Sequence, residues 1–89
     1  MILVVTYDLK GPTGSYDGLY NALKQQGSWA HYITDTWLIS TDKTPQQLFD
    51  ALLPHLNTKA KDYILITTLG AHWGWLPKDA WEWIKSHSQ

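Results

Sequence analysis

The sequence predicts an α+β domain: a four-stranded antiparallel sheet with two helices on one face and a further helix at the C-terminus. Three observations lead there. The chain opens on an almost unbroken apolar run, Ile2 to Leu9, whose β-branching and terminal Lys10-Gly11-Pro12 mark a strand rather than a helix. A two-residue period begins at Ser28 and turns back at Asp35, as in an antiparallel hairpin. Two stretches of helical period, one before the hairpin and one after it, separate the strand-like segments.

In the first strand Ile2, Val4 and Thr6 lie on one side and Leu3, Val5 and Tyr7 on the other, so both faces expect cover. Gly11 to Gly14 reads as a loop, with Ser15 as N-cap and Asp17 suited to the first turn of a helix. Tyr16, Leu19, Tyr20 and Leu23 take the i, i+3, i+4, i+7 spacing of a buried face, and Gly27 is expected to close that helix as its C′ residue. In the hairpin Trp29, His31 and Ile33 alternate with Ala30, Tyr32 and Thr34. This more polar strand is the expected edge, and the returning Thr36 to Thr41, apolar at Trp37, Leu38 and Ile39, the expected centre.

Thr44-Pro45-Gln46-Gln47 places a capping threonine, proline at N1 and glutamine at N3. Leu48, Phe49, Leu52, Leu53 and Leu56 form the expected buried stripe of this second helix, which Pro54 should kink or shorten. After a polar linker from Asn57 to Asp62, Tyr63 to Leu69 is a strand apolar on both faces. Gly70 to Trp75 has no clear period and reads as loop or a short fifth strand. Pro77 opens a last helix, Lys78 to about Ser86, with Ala80, Trp81 and Ile84 on one face. The order βαββαβ plus a C-terminal helix has one common compact solution, the ferredoxin-like arrangement, with the first and third strands central.

Residues 1–89 are read as a single domain, since so short a chain cannot hold two cores. Cysteine is absent, which excludes disulfides and thiolate metal sites. No apolar stretch reaches membrane-spanning length and the opening run has neither a basic n-region nor a small-residue cleavage site, so a soluble cytoplasmic protein is expected. The net charge is −1 and all seven cationic residues are lysines, which disfavours strong nucleic-acid binding by one chain. Six tryptophans exceed what a small core holds, so some should lie at an interface or on a binding face. Two helices cover only one face of a sheet whose central strands are apolar on both. Either a second copy covers the other face or the tryptophan-rich tail folds back over it; the second copy is the expected cover, with the tail completing the seam and the fourth strand inviting edge pairing.

The opening "ILVVTYDL", the hairpin "SWAHYITDTWLIS" and the strand "YILITTL", in this order with two helices between, resemble the small CRISPR-associated adaptation subunit. That family dimerises through ferredoxin-like domains, and the virulence-associated ribonucleases of the same fold are more distant. "TYDL", "WAHYITDTWLI" and "GWLPKDAWEWI" look like a set of short bacterial and phage-borne relatives. The resemblance implies a homodimer and, at Asp8, an aspartate that ends the first strand and binds a divalent metal such as Mg²⁺ at the two-fold axis, supporting phosphodiester cleavage. This chain departs from the family in its first helix, where Lys24 is the one basic residue.

Asp8 is therefore the candidate catalytic and metal-ligating residue, weighed against a carboxylate that only hydrogen-bonds the turn at Lys10-Gly11. Tyr7 and Lys10 flank it, and with His31, His72, Trp73 and Trp75 they make up the candidate ligand-binding set. His72, Trp73 and Trp75 lie in a glycine-flanked stretch whose aromatic faces suit a base or nucleotide, although plugging a dimer seam is the simpler use. His31 fits a satisfied sheet histidine better than a general base or ligand. Three functions follow: a non-enzymatic binding or scaffold homodimer for a protein partner or nucleotide ligand, a metal-dependent nuclease on paired Asp8 residues, and a phage-encoded sponge for nucleotide signals.

Overall fold

Apolar strands pair wherever their runs were read. In the computed structural model, which describes residues 1–11, 16–57 and 61–88, strands β1 (Ile2–Asp8), β2 (Ser28–Ile33), β3 (Thr36–Ser40) and β4 (Tyr63–Thr68) form one antiparallel sheet. Its order is β2-β3-β1-β4. Of the three strands read as apolar on both faces, β1 and β3 are central and β4 is an edge, as is the more polar β2. β1 pairs Val5 with Trp37 of β3 on one side and with Ile66 of β4 on the other.

Helices α1 (Asp17–Lys24) and α2 (Pro45–Leu52) close one face. Leu3, Val5 and Tyr7 of β1 meet Leu19 and Leu23 of α1, Leu48 and Leu52 of α2, and Trp37 and Ile39 of β3 in one buried cluster. Capping at Thr44 is as the spacing predicts: its hydroxyl accepts from Gln47 N–H while the Gln47 side chain accepts from Thr44 N–H. Pro54 ends α2 at Leu52, and Leu53–His55 continues as a 3₁₀ turn. That turn rotates Leu53 out of the expected stripe, leaving it 41% exposed. The Ser15 cap and most of the loop before it lie outside the described residues.

Gly27 stands two positions beyond Gln25, the C-cap of α1, and does a different job from the expected one. Its φ is +156° and a Cβ there would meet the Ser40 carbonyl at 2.1 Å, so the glycine lets β2 start against β3. A second difference concerns Ile33. A register irregularity between Ala30 and Ile33 pairs Ile33 with Thr36, which puts it on the face of Ala30 rather than that of Trp29 and His31.

The opposite face carries Ile2, Val4 and Thr6, and its cover comes from the chain itself. After β4 the Leu69 N–H still bonds Ile2 O, at 2.9 Å; the segment from Gly70 to Pro77 then runs without regular structure, which decides between the two readings of Gly70 to Trp75. Helix α3 (Lys78–His87) lies back along β2 and buries Ala80 and Ile84. The cover stops short of β4, whose Tyr63 and Leu65 are each 64% exposed. No helix among the described residues is long and apolar enough to cross a membrane.

Candidate functional site

Between the sheet and the returning tail lies a groove of about 230 Å³. Val4, Ala30 and Leu38 form its floor, Tyr32 and Ile33 one side, and the segment from His72 to Leu76 with Trp81 the other. Every lining side chain is uncharged or a histidine. The groove exists because small and branched residues at Ala30, Ala80 and Ile84 let α3 sit close to the sheet while the arm before it stands off. Gly70 and Gly74 have nothing within 4 Å of a Cβ position, so neither is a packing glycine.

Trp73 and Trp75 are each 98% exposed at the rim. They do not plug a seam within this chain. His72 Nδ1 donates to Gly70 O at 2.6 Å and its ring lies parallel to Trp81 at 6.4 Å, which fixes how the arm leaves β4. Trp83 and His87 stack at 4.2 Å on the flank of α3 and take no part in the groove.

Asp8 stands at a different place, exposed at the end of β1 opposite Tyr63. Lys10 Nζ lies 2.9 Å from its Oδ2, and the carboxylate raises the lysine's pKa above the ordinary value. Asp8, Thr6, Tyr63 and Leu65 border a shallow depression beside the uncovered part of β4. Among the described residues no three His, Asp or Glu side chains gather as a ligand set. A single carboxylate already paired with an ammonium does not fit a hard cation within one chain.

Tyr7 and His31 are brought together on the helix-covered face, away from both. Trp37 Nε1 donates to Tyr7 Oη at 3.0 Å, and His31 stacks on Trp37 with ring centroids 4.0 Å apart. Burial raises the Tyr7 phenol's pKa, with Tyr20 and Asp35 adding to it against the hydrogen bond from Trp37. His31 Nε2 donates to Thr34 O at 2.8 Å, so it is a satisfied sheet histidine, as its position between Trp29 and Ile33 suggested. The seven expected residues thus fall into three groups: Asp8 with Lys10, Tyr7 with His31, and His72 with Trp73 and Trp75.

Sequence reasoning missed Asp62, the one buried carboxylate among the described residues, at 9% exposure. Lys10 N–H reaches its Oδ1 at 2.7 Å, Asn57 N–H its Oδ2 at 2.8 Å, and the Tyr16 hydroxyl lies 2.7 Å from both oxygens. The same hydroxyl accepts from Gly11 N–H at 2.7 Å. Burial pushes the Asp62 carboxyl up, but the donors from Lys10, Tyr16 and Asn57 outweigh it and hold the group below its ordinary value. Burial and the neighbouring carboxylate raise Tyr16. The signal was faint: a polar residue just before a strand looks like any linker residue. No family model matches the chain, and the comparison with curated proteins found no match.

Proposed function

We propose that the chain is a non-enzymatic binding or scaffold protein of the cytoplasm, ferredoxin-like in fold, that works as a homodimer. Its tail groove holds the ring of a nucleotide-type ligand or an apolar segment of a partner. The observation that carries this is the pair Trp73 and Trp75, 98% exposed at the rim of an uncharged groove. Indoles so placed contribute almost nothing to folding, whereas each offers a face on which a planar group can stack. The strand order β2-β3-β1-β4 supports the ferredoxin-like arrangement, and with it the resemblance to the CRISPR-associated adaptation subunit and its phage-borne relatives.

The uncovered strip of β4 supports the second copy. Tyr63 and Leu65 are exposed on the edge strand β4, whose outer side has no partner strand among the described residues, a surface that edge pairing would cover. Sedimentation at micromolar concentration should give a dimer that Leu65→Lys converts to monomer; a monomeric parent protein removes the homodimer. Titration with nucleosides and cyclic nucleotides should quench tryptophan fluorescence saturably, and Trp73→Phe with Trp75→Phe should reduce the effect. No quenching across the panel discards the nucleotide ligand and the nucleotide-sponge role together.

One observation favours a second reading, a Mg²⁺-dependent nuclease. Asp8 is exposed beside that same strip of β4, where a two-fold axis would bring two such carboxylates together. Incubation of the protein with labelled RNA and DNA, with and without Mg²⁺, tests it. Metal-dependent cleavage that Asp8→Ala removes would replace the binding reading.

A further inference from the structure

A second concavity, of about 430 Å³, opens on the helix-covered face of the sheet, on the other side from the tail groove. Its floor is a ladder of near-parallel rings. Tyr20 lies on Trp37 with centroids 6.4 Å apart and planes at 15°, and His31 lies on Trp37 at 4.0 Å and 14°. Trp29 leans on the same indole at 5.3 Å and is itself 41% exposed. The bond from His31 to Thr34 O fixes the plane of the outermost ring. Two charged side chains complete the lining. Lys24, the last residue of α1, holds Nζ 5.3 Å over the Trp29 ring near the start of β2, and Asp35 sits in the turn that follows β2. The cation and the carboxylate therefore stand at opposite ends of an aromatic floor.

This layout narrows the ligand. A flat ring system is wanted for the floor, an anionic group for one end and hydrogen-bond donors for the other. A free phenylalanine, tyrosine or tryptophan offers at most one ring donor to a carboxylate. A neutral sugar has no anion for Lys24. A guanine nucleotide has all three: a purine to stack, a phosphate beyond the ribose, and adjacent N1–H and N2–H donors that one carboxylate accepts together.

We propose that this cleft binds a guanine nucleotide, the base stacked on His31 and Trp29, its donor edge on the Asp35 carboxylate and its phosphate on Lys24. The site is separate from the tail groove and does not depend on the groove having a ligand. Lys24 and Asp35 are both exposed, so replacing them leaves the core intact.

Guanosine monophosphate and adenosine monophosphate are the probes, titrated into the full chain by calorimetry. The guanine nucleotide should bind saturably and at least about fivefold tighter than the adenine one. Lys24→Gln should weaken guanosine monophosphate about fivefold or more while guanosine itself is little affected. Asp35→Asn should erase the preference for guanine. The Trp73→Phe, Trp75→Phe double variant should bind as the parent does. Absence of saturable binding at millimolar nucleotide overturns the proposal. So do unchanged affinities in both Lys24→Gln and Asp35→Asn, or a loss confined to the tryptophan double variant, which would move the nucleotide to the groove.

Discussion

Replacing Asp62 by asparagine keeps the shape of the side chain and removes its charge, which makes it a clean test of the clasp between the ends of β1, α1 and the 3₁₀ turn. In the native chain both oxygens accept: Oδ1 from Lys10 N–H, Oδ2 from Asn57 N–H, and either one from the Tyr16 hydroxyl. The amide offers one acceptor oxygen and one NH₂. One of the two backbone donors must then face another donor, and the remaining bonds lose their charge assistance. A hydrogen bond to a charged group contributes about 1.5–3 kcal/mol, so losing one and weakening the others should cost about 3 kcal/mol. A domain of this length has about 4–13 kcal/mol in all. The midpoint of thermal unfolding, followed by circular dichroism at pH 7, should therefore fall by about 12–24 °C.

The pH dependence gives the same experiment a second reading. Folding holds the Asp62 carboxyl below its ordinary value, so the carboxylate's contribution is full above that ordinary value and is lost as pH falls through the folded pKa. Parent and Asp62→Asn curves should be far apart at pH 7 and converge in acid. A midpoint within about 2 °C of the parent at pH 7 would show that the clasp carries no net stability, and the reasoning about it would fail.

Further expectations concern the packing. Gly27→Ala should cost more than about 2 kcal/mol in urea unfolding, because both its φ and the Ser40 carbonyl 2.1 Å away oppose a methyl group. Leu48→Ala, at a fully buried position, should cost about 2–5 kcal/mol, and Thr44→Ala about 1 kcal/mol through loss of the capping box. Trp73→Ala and Trp75→Ala should each change stability by less than about 0.5 kcal/mol, since both indoles are in solvent. Ile84→Asp should detach α3 and make the chain after Leu69 sensitive to limited proteolysis, with the sheet surviving.

Local chemistry explains which features were legible in the sequence. The strands at Ile2, Thr36 and Tyr63, the turn at Asp35, the box at Thr44 to Gln47 and the break at Pro54 each depend on neighbouring residues, and all stand where they were read. What needed the third dimension was not legible. Ile33 changes face through a bulge that alternation cannot show, and Asp62 gains its partners from residues as distant in the chain as Lys10 and Tyr16. The covering of the second face was weighed as a choice between a twin and the tail. In one chain Ala80 and Ile84 of the tail cover the part over β2, while the strip at Tyr63 and Leu65 stays bare. The candidate residues were found one by one from their chemistry, but nothing local indicated that they belong to three separate places.

The six indole N–H groups offer the most direct test of a binding groove made by the tail. Their resonances in a ¹H–¹⁵N correlation spectrum, assigned by single Trp→Phe variants, can be followed while a nucleoside is added. Binding in the groove predicts saturable shifts of Trp73, Trp75 and Trp81, with Trp83 little changed. Indole signals of Trp73, Trp75 and Trp81 that stay fixed through the titration would contradict it.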